Sequence, residues 1–228
     1  GLPPAAKAQK DHQPVNSAHK QPWLLQGHPH KTRSNPENTC MHISDPSESR
    51  RNQPAPDAAS FDAPLTLLHA CHDRVHERCE LLHKLWQHMA THGADPQAQD
   101  AAGNILRYFE LAAPHHHEDE ERHVFPLLLA SGKAELVQCA RTLLQQHQDM
   151  AAAWQQLRPL LQAVQQGRTP DLALHAGLID AFVALYQAHI ALEEQVAFPA
   201  GFASMSTEMQ TEAGNEMAAR RGATRHTL

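Results

Sequence analysis

The sequence predicts an all-α protein: an antiparallel up-and-down four-helix bundle with a short C-terminal helix, preceded by a disordered N-terminal segment. Apolar residues make up 41% of the 228 residues and aromatic residues only 5%. Ala, Leu, Gln and Glu are abundant after residue 60, which favours helices and leaves little material for a sheet. From about residue 61 the apolar residues recur at helical spacing. Gly and Pro divide this pattern into four long helices joined by short loops, as in an up-and-down bundle.

Residues 1–60 differ in character from the rest of the chain. They hold nine of the 16 prolines, are rich in Asn, Ser, Gln and Lys, and show no sustained hydrophobic period. Such a segment buries too little apolar surface to fold, so we expect it to be disordered. The first Met is Met41, and one hypothesis is that the natural chain starts there; peptides from before Met41 in the native protein would refute it. The folded domain is predicted to span residues 61–222.

The first two helices are separated by a break at residues 92–96. Asp95 is a good N-cap and Pro96 a good first residue for the second helix. The second helix is predicted to run to about Ala130, where Ser and Gly stop it. Pro114 lies inside this helix and should kink or split it.

The remaining helices follow from similar signals. A third helix is predicted from about Lys133 to Gln166, and residues 167–170 then repeat the order of a cap followed by a proline. A fourth helix runs from that proline to about Phe198, where Pro and Gly end it. A short last helix covers Ser206 to Arg221.

Charge and cysteine usage exclude several classes of protein. The formal net charge is -6 and the sequence has no basic stripe, which argues against nucleic-acid binding. No apolar run approaches the roughly 20 residues that a membrane span needs. The four cysteines form no C-x-x-C pair, so reduced thiols in a cytoplasmic protein are the simplest interpretation. Histidine is the unusual residue, with 14 of its 19 copies after residue 60.

The domain contains an internal repeat. Residues 116–126 and 189–199 both read H-x-x-x-E-E-x-x-x-F-P, at an offset of 73 residues. The loops at 93–96 and 167–170 both read G-x-x-P, at an offset of 74 residues. One further histidine precedes each loop, His72 before the first and His147 before the second. We interpret the two halves as related helical hairpins.

This repeat predicts a metal centre. Residues four apart share a helix face, so each His-x-x-x-Glu pair can aim an imidazole and a carboxylate at one point. Two uncompensated carboxylates in an apolar core are very costly, and a pair of dications removes that cost. Imidazole and carboxylate without thiolate suit iron, manganese or zinc. The predicted ligands are His72, His116, Glu120, His147, His189 and Glu193.

Other side chains compete for places at this centre. The competing histidines are His69, His76, His115, His117 and His123. Alignment of the two repeats selects His116, and the role of the competitors stays open. Cys71 adjoins His72 but points about 100° away around the helix, which indicates packing. Tyr186 lies on the face of His189, where it either packs in the core or hydrogen-bonds to a ligand.

The sequence resembles the bacterial hemerythrin-like (HHE cation-binding) domains. The resemblance covers residues 62–222 and rests on the E-E-x-x-x-F-P repeat, the Cys71-His72-Asp73 opening and the closing E-M-A-A-R-R at residues 216–221. Within that family the sequence looks most like the four-His, two-Glu iron proteins that include the iron-sulfur-centre repair proteins. The resemblance implies two non-haem iron ions bridged by the two glutamates.

The sequence departs from two members of that family. Oxygen-carrying hemerythrins have a His where this chain has Ala151 and an Asp where it has Glu194, which argues against a reversible oxygen carrier. The repair proteins usually carry an N-terminal domain with cysteines, whereas only Cys40 lies in this N-terminal region. Repair activity is therefore not the first interpretation.

The leading interpretation is a cytoplasmic di-iron protein that responds to oxygen, nitric oxide or peroxide, or that handles iron. Its expected partner is a small diatomic ligand or peroxide, with no nucleic acid and no membrane. One alternative is a di-iron redox enzyme of the peroxidase, nitric-oxide reductase or iron-sulfur repair type. Another is a structural bundle that holds no metal.

Overall fold

The structure is a computed structural model, and it describes residues 60–223. The regular elements within this range are all helical. They are α1 (Pro64–His92), α2 (Pro96–Arg107), a first π turn (Tyr108–Ala112), α3 (Ala113–His123), α4 (Phe125–Leu129), α5 (Ala134–Gln165), α6 (Leu172–Leu192), a second π turn (Glu193–Ala197), α7 (Phe198–Ala203) and α8 (Thr207–Arg220). The predicted all-α class is confirmed, while the up-and-down order of the helices stays a prediction. The segment predicted to be disordered lies, apart from Ser60, outside the described residues.

Two helix starts show where the sequence signals worked and where they failed. Asp95 caps α2 as predicted, because its side chain accepts a hydrogen bond from the backbone N–H of Ala98 at 2.8 Å. Thr169 does not cap α6. Its hydroxyl instead accepts from the N–H of Ala94, at 2.8 Å, and joins the two interhelix loops. Asp171 is the cap, so α6 begins later than its proline predicted.

The predicted second helix continues past Pro114 and is only wound more widely there. The chain widens into the first π turn just before the proline, and the N–H of Ala113 reaches back to the carbonyl of Tyr108. A wider turn accommodates a proline ring that would clash in a regular α-helix. The break comes later, at Val124, before the short helix α4. In the other half, Pro199, which corresponds to Pro126, follows the second π turn.

The helices enclose a core made of two clusters of buried apolar side chains. Helix α1 contacts α2 and α6, and α5 contacts the same two helices. We call one cluster the Trp154 cluster and the other the Phe125 cluster, after one member of each. Four helical segments carry the predicted ligands: α1, α3, α5, and α6 with the second π turn. On each segment a predicted ligand lies between members of the two clusters. The triplets are Leu68, His72 and Val75; Ala113, His116 and Val124; Leu143, His147 and Met150; and Tyr186, His189 and Ala197.

The C-terminal helix α8 packs on the outside of the bundle. It contacts α1 and α3, and Met217 is fully buried against Leu67. Gly214 faces the backbone of Phe61 so closely that a Cβ there would overlap the Phe61 carbonyl oxygen. The helix is therefore seated tightly on the start of α1. None of the helices between residues 60 and 223 is long and apolar enough to cross a membrane.

Candidate metal centre

The structure brings all six predicted ligands together in the interior. His72 lies on α1, His116 and Glu120 on α3, His147 on α5, His189 near the end of α6, and Glu193 opens the second π turn. Every one of them is at most 6% exposed. Buried carboxylates and imidazoles in such number are unusual in a core unless they are paired or hold a metal.

Glu120 lies between two pairs of histidines. Its Oε1 is 3.0 Å from His116 Nε2 and 3.7 Å from His72 Nε2. Its Oε2 is 3.4 Å from His147 Nε2, on the other side of the carboxylate. One oxygen therefore faces each pair, which is the arrangement that a bridging carboxylate needs.

Glu193 also spans the two pairs. Its Oε2 lies 3.1 Å from His72 Nε2 and 3.2 Å from His189 Nε2. The Nε2 atoms of His147 and His189 are 3.1 Å apart. Two groups of donor atoms result, each with all members within 4.8 Å of one another. The first group is formed by His72, His116, Glu120 and Glu193. The second group is formed by Glu120, His147, His189 and Glu193.

The protonation of the cluster shows what a cation would replace. Burial and the charge of Glu193 raise the pKa of Glu120 well above its usual range. Burial alone would raise the pKa of Glu193 too, but hydrogen bonds from His189 and His72 lower it. Burial would lower the pKa of His72, yet its contacts with the two carboxylates raise it to about 10. A proton thus holds together groups that a dication could bind instead.

Several buried polar atoms are left without a partner, and this tests whether a metal fits. Among the described residues, both oxygens of Glu120 and the Oε1 of Glu193 make no hydrogen bond although they are buried. An unsatisfied buried carboxylate oxygen is expensive, and a metal ion would satisfy it. Burial and the neighbouring His189 lower the pKa of His147 to about 3, which keeps its imidazole neutral and free to bind a cation. The residues therefore fit a pair of cations held by nitrogen and oxygen donors.

A second carboxylate of each repeat orients a histidine. Glu121 Oε1 lies 2.6 Å from His147 Nδ1, and Glu194 Oε1 lies 3.0 Å from His72 Nδ1. An Nδ1–H that donates to a carboxylate leaves Nε2 unprotonated and aimed at the centre. These two glutamates were not among the predicted site residues. The duplicated E-E of the repeat was the signal that could have identified them.

Three further side chains complete the surroundings of the histidines. Gln146 Oε1 accepts a hydrogen bond from His189 Nδ1 at 3.0 Å, and nothing in the sequence pattern pointed to it. The phenylalanines of the F-P repeat pack against imidazoles: Phe198 stacks on His72 with ring centroids 5.1 Å apart, and Phe125 lies 5.4 Å from His147. Each repeated phenylalanine thus fixes the ring of a ligand from the other hairpin.

The competing histidines take different places. His76 is exposed, and His123 pairs with Glu216 of α8 at 2.8 Å. His69 is largely exposed and lies 3.4 Å from Glu194. His117 alone of the competitors groups with predicted ligands from the other hairpin, His147 and His189.

Cys71 and Tyr186 lie in packed surroundings. Burial raises the pKa of the Cys71 thiol to about 11, so it stays protonated. The ring of Tyr186 packs against Phe109 and Phe182, with centroids 5.3 and 5.1 Å away. Burial raises the pKa of Tyr186 well above its usual range, so its phenol is neutral.

Taken together, the fold and the site define a helical-bundle protein with a buried cation site of histidines and glutamates. Residues 63–200 match the family model described as the hemerythrin HHE cation binding domain. An uncharacterized protein of Haemophilus influenzae (strain ATCC 51907 / DSM 11121 / KW20 / Rd) is 34% identical over 163 residues, which are 72% of this chain and 92% of that protein. The chain belongs to the hemerythrin family.

Proposed function

We propose that this chain is a di-iron protein that binds oxygen, nitric oxide or peroxide, acting in the response to these molecules or in iron handling. The observation that carries the proposal is the position of Glu120, whose two oxygens face different pairs of histidines. A single metal would use one such pair, whereas a carboxylate that serves both pairs suits two metals. The absence of a thiolate from the donor set favours iron over softer metals. We place this activity in the cytoplasm, with reduced thiols.

In this proposal each side chain has a defined task. His72 and His116 bind one cation, His147 and His189 bind the other, and Glu120 bridges them. The second bridge is Glu193. The outer carboxylates of Glu121 and Glu194 keep two of the imidazoles in the tautomer that can bind.

The surroundings of the site suit a small, uncharged ligand. When bound, an iron pair supplies Lewis acidity, electrons and open positions for a diatomic molecule or peroxide. The Trp154 and Phe125 clusters flank the ligands on both sides and exclude water. A dry surround strengthens the carboxylate–cation contacts and limits side reactions.

The order of the two clusters along the chain supports the up-and-down arrangement. On α1 and α5 the chain passes from the Phe125 cluster through the ligand to the Trp154 cluster. On α3, and on the segment from α6 into the second π turn, the chain passes from the Trp154 cluster through the ligand to the Phe125 cluster. Successive helical segments that cross the same two clusters in alternating order are expected in an antiparallel bundle.

Removal of the bridges tests the proposal. The variants Glu120→Ala and Glu193→Ala should each lose stoichiometric iron after anaerobic reconstitution, because each removes donor oxygens that both sites share. Glu212→Ala, an exposed change on α8, is the matched control and should load iron like wild type. Stoichiometric iron in either bridge variant would refute the assignment, and an unloaded wild type would favour the metal-free bundle.

Binding of the small molecule needs its own measurement. The iron-loaded protein should change its visible spectrum when nitric oxide, oxygen or peroxide is added anaerobically. A spectrum that stays constant with all three molecules would contradict a ligand-binding role, and iron handling would then be the remaining function. Turnover of peroxide or nitric oxide with a reductant would point instead to the redox enzyme.

A further inference from the structure

His117 lies against the half of the centre formed by His147 and His189. Its ring stacks on that of His147, with centroids 4.0 Å apart and planes 13° apart. The ring of His189 lies 5.8 Å from it in an edge-on arrangement. The three imidazoles each offer a ring nitrogen to a group in which all the nitrogens lie within 4.8 Å of one another.

The Nε2 atom of His117 has no other task among residues 60–223. It is buried and makes no hydrogen bond. A buried imidazole nitrogen without a partner is costly, and a structural histidine is usually placed where both nitrogens can bond. The neighbouring ligands illustrate this, since the Nδ1 atoms of His147 and His189 are held by Glu121 and Gln146.

The other half of the centre offers only a weaker counterpart. Among the described residues His69 groups with His72 and Glu194, but it is exposed and does not group with His116. The two halves are therefore unequal, although the repeat that builds them is symmetric. In the second copy of the repeat the residue equivalent to His117 is Ile190, which belongs to the Trp154 cluster.

We propose that His117 is a third imidazole ligand to the cation held by His147 and His189, so that the two metals have different coordination. This inference rests on the proposed function and adds to it an asymmetry between the two metal positions.

The alternative is that the His117 ring only packs against His147. The variant His117→Phe separates the two roles, because Phe keeps an aromatic ring for stacking but has no nitrogen to donate. His117→Gln is the second variant, in case the ring substitution disturbs folding, and circular dichroism checks that each variant is helical. His115→Gln is the matched control, since His115 lies two residues away on the same helix and belongs to no donor group.

The test is an anaerobic titration of the full chain with Co²⁺, whose visible absorption bands report on coordination. Wild type should bind about two Co²⁺ ions per chain, and His117→Phe should weaken one of the two binding steps by about tenfold or more and change its bands. The other step and the His115→Gln control should be unchanged. Added imidazole should restore the bands in His117→Gly.

The outcomes separate the two proposals. Wild-type affinities and bands for both ions in His117→Phe and His117→Gln would overturn the role of His117 while leaving the two-metal centre intact. Weakening of both steps to the same degree would also overturn it, because the effect would then be structural. A wild-type chain that binds neither Co²⁺ nor iron would overturn the proposed function itself.

Discussion

Glu121 Oε1 lies 2.6 Å from His147 Nδ1, so a glutamate of the first hairpin holds a histidine of the second. The reverse contact joins Glu194 of the second hairpin to His72 of the first at 3.0 Å. The repeated E-E pair therefore has two functions: the first glutamate faces the centre and the second fixes an imidazole across the bundle. The two hairpins cannot assemble the site independently, because each orients a ligand of the other.

Loss of the Glu121 contact should weaken metal binding without abolishing it. We expect Glu121→Ala to lower iron affinity by about 10- to 100-fold, because the imidazole of His147 loses the acceptor that fixes its tautomer and orientation. Competition with a chelator of known affinity measures the change. Glu121→Gln keeps an acceptor oxygen and should lose less, whereas equal affinities in wild type and Glu121→Ala would show that the contact does not orient the ligand.

Replacement of a bridging carboxylate should stabilise the metal-free protein. Glu120→Gln should raise the free energy of unfolding by about 1–3 kcal/mol at pH 7, because the wild-type carboxyl has either to bind a proton or to carry a buried charge beside Glu193. Since the pKa of Glu120 is raised in the folded protein, wild type loses stability as the pH rises above about 4.5, the ordinary value for Glu. The advantage of the variant should accordingly shrink as the pH falls towards 4.5.

Urea unfolding with and without iron measures this effect. Added iron should stabilise wild type and leave Glu120→Gln almost unchanged, so the order of stability should reverse. A metal-free variant that is less stable than metal-free wild type would mean that Glu120 has a structural partner in the core.

Asp119 should be essential for seating α8. Its carboxylate is fully buried next to Glu120 and pairs with Arg220 and Arg221, the second at 2.6 Å. Asp119→Ala should cost about 3 kcal/mol, because it leaves two guanidinium groups without their shared acceptor. Glu118→Ala removes a half-buried neighbour on the same helix that pairs with Arg122 and, at 3.2 Å, with Arg220, and it should lower the unfolding midpoint much less because Arg220 keeps Asp119 and Glu216. Equal effects of the two substitutions in urea unfolding would contradict this account.

Two glycines should respond in opposite ways to alanine. Gly214→Ala places a Cβ against the Phe61 carbonyl and should cost about 1–3 kcal/mol as α8 shifts. Gly177→Ala lies on α6 with open space around it and should gain up to about 1 kcal/mol of helix propensity. Thermal unfolding of both variants checks the pair, and a gain in Gly214→Ala would mean that α8 is not seated on α1 as described.

The composition and the repeat predicted the helical class and the six residues that meet in the interior. Helical spacing places His116 and Glu120 on one face whatever the rest of the chain does, and two copies of the same pattern point to one common centre. Asp95 was equally predictable, because the N–H group that it caps lies only three residues along the chain.

Features that depend on contacts between distant segments were not predictable from the sequence. Thr169 looked like a cap, but its hydroxyl bonds to the other loop, 75 residues away. The partners of Glu121 and Glu194 lie on other helices, so no local pattern reveals them. The repeat selected His116, but it did not show that His117 rather than His115 lies against His147, because that contact joins residues of different helices.

The most direct test of the two-iron centre is the iron content and ultraviolet–visible spectrum of protein purified without oxygen, before and after exposure to air and to nitric oxide. We expect about two irons per chain and an oxo-bridged ferric absorption that appears in air. Protein without iron, or iron that a mild chelator removes at once, would contradict it.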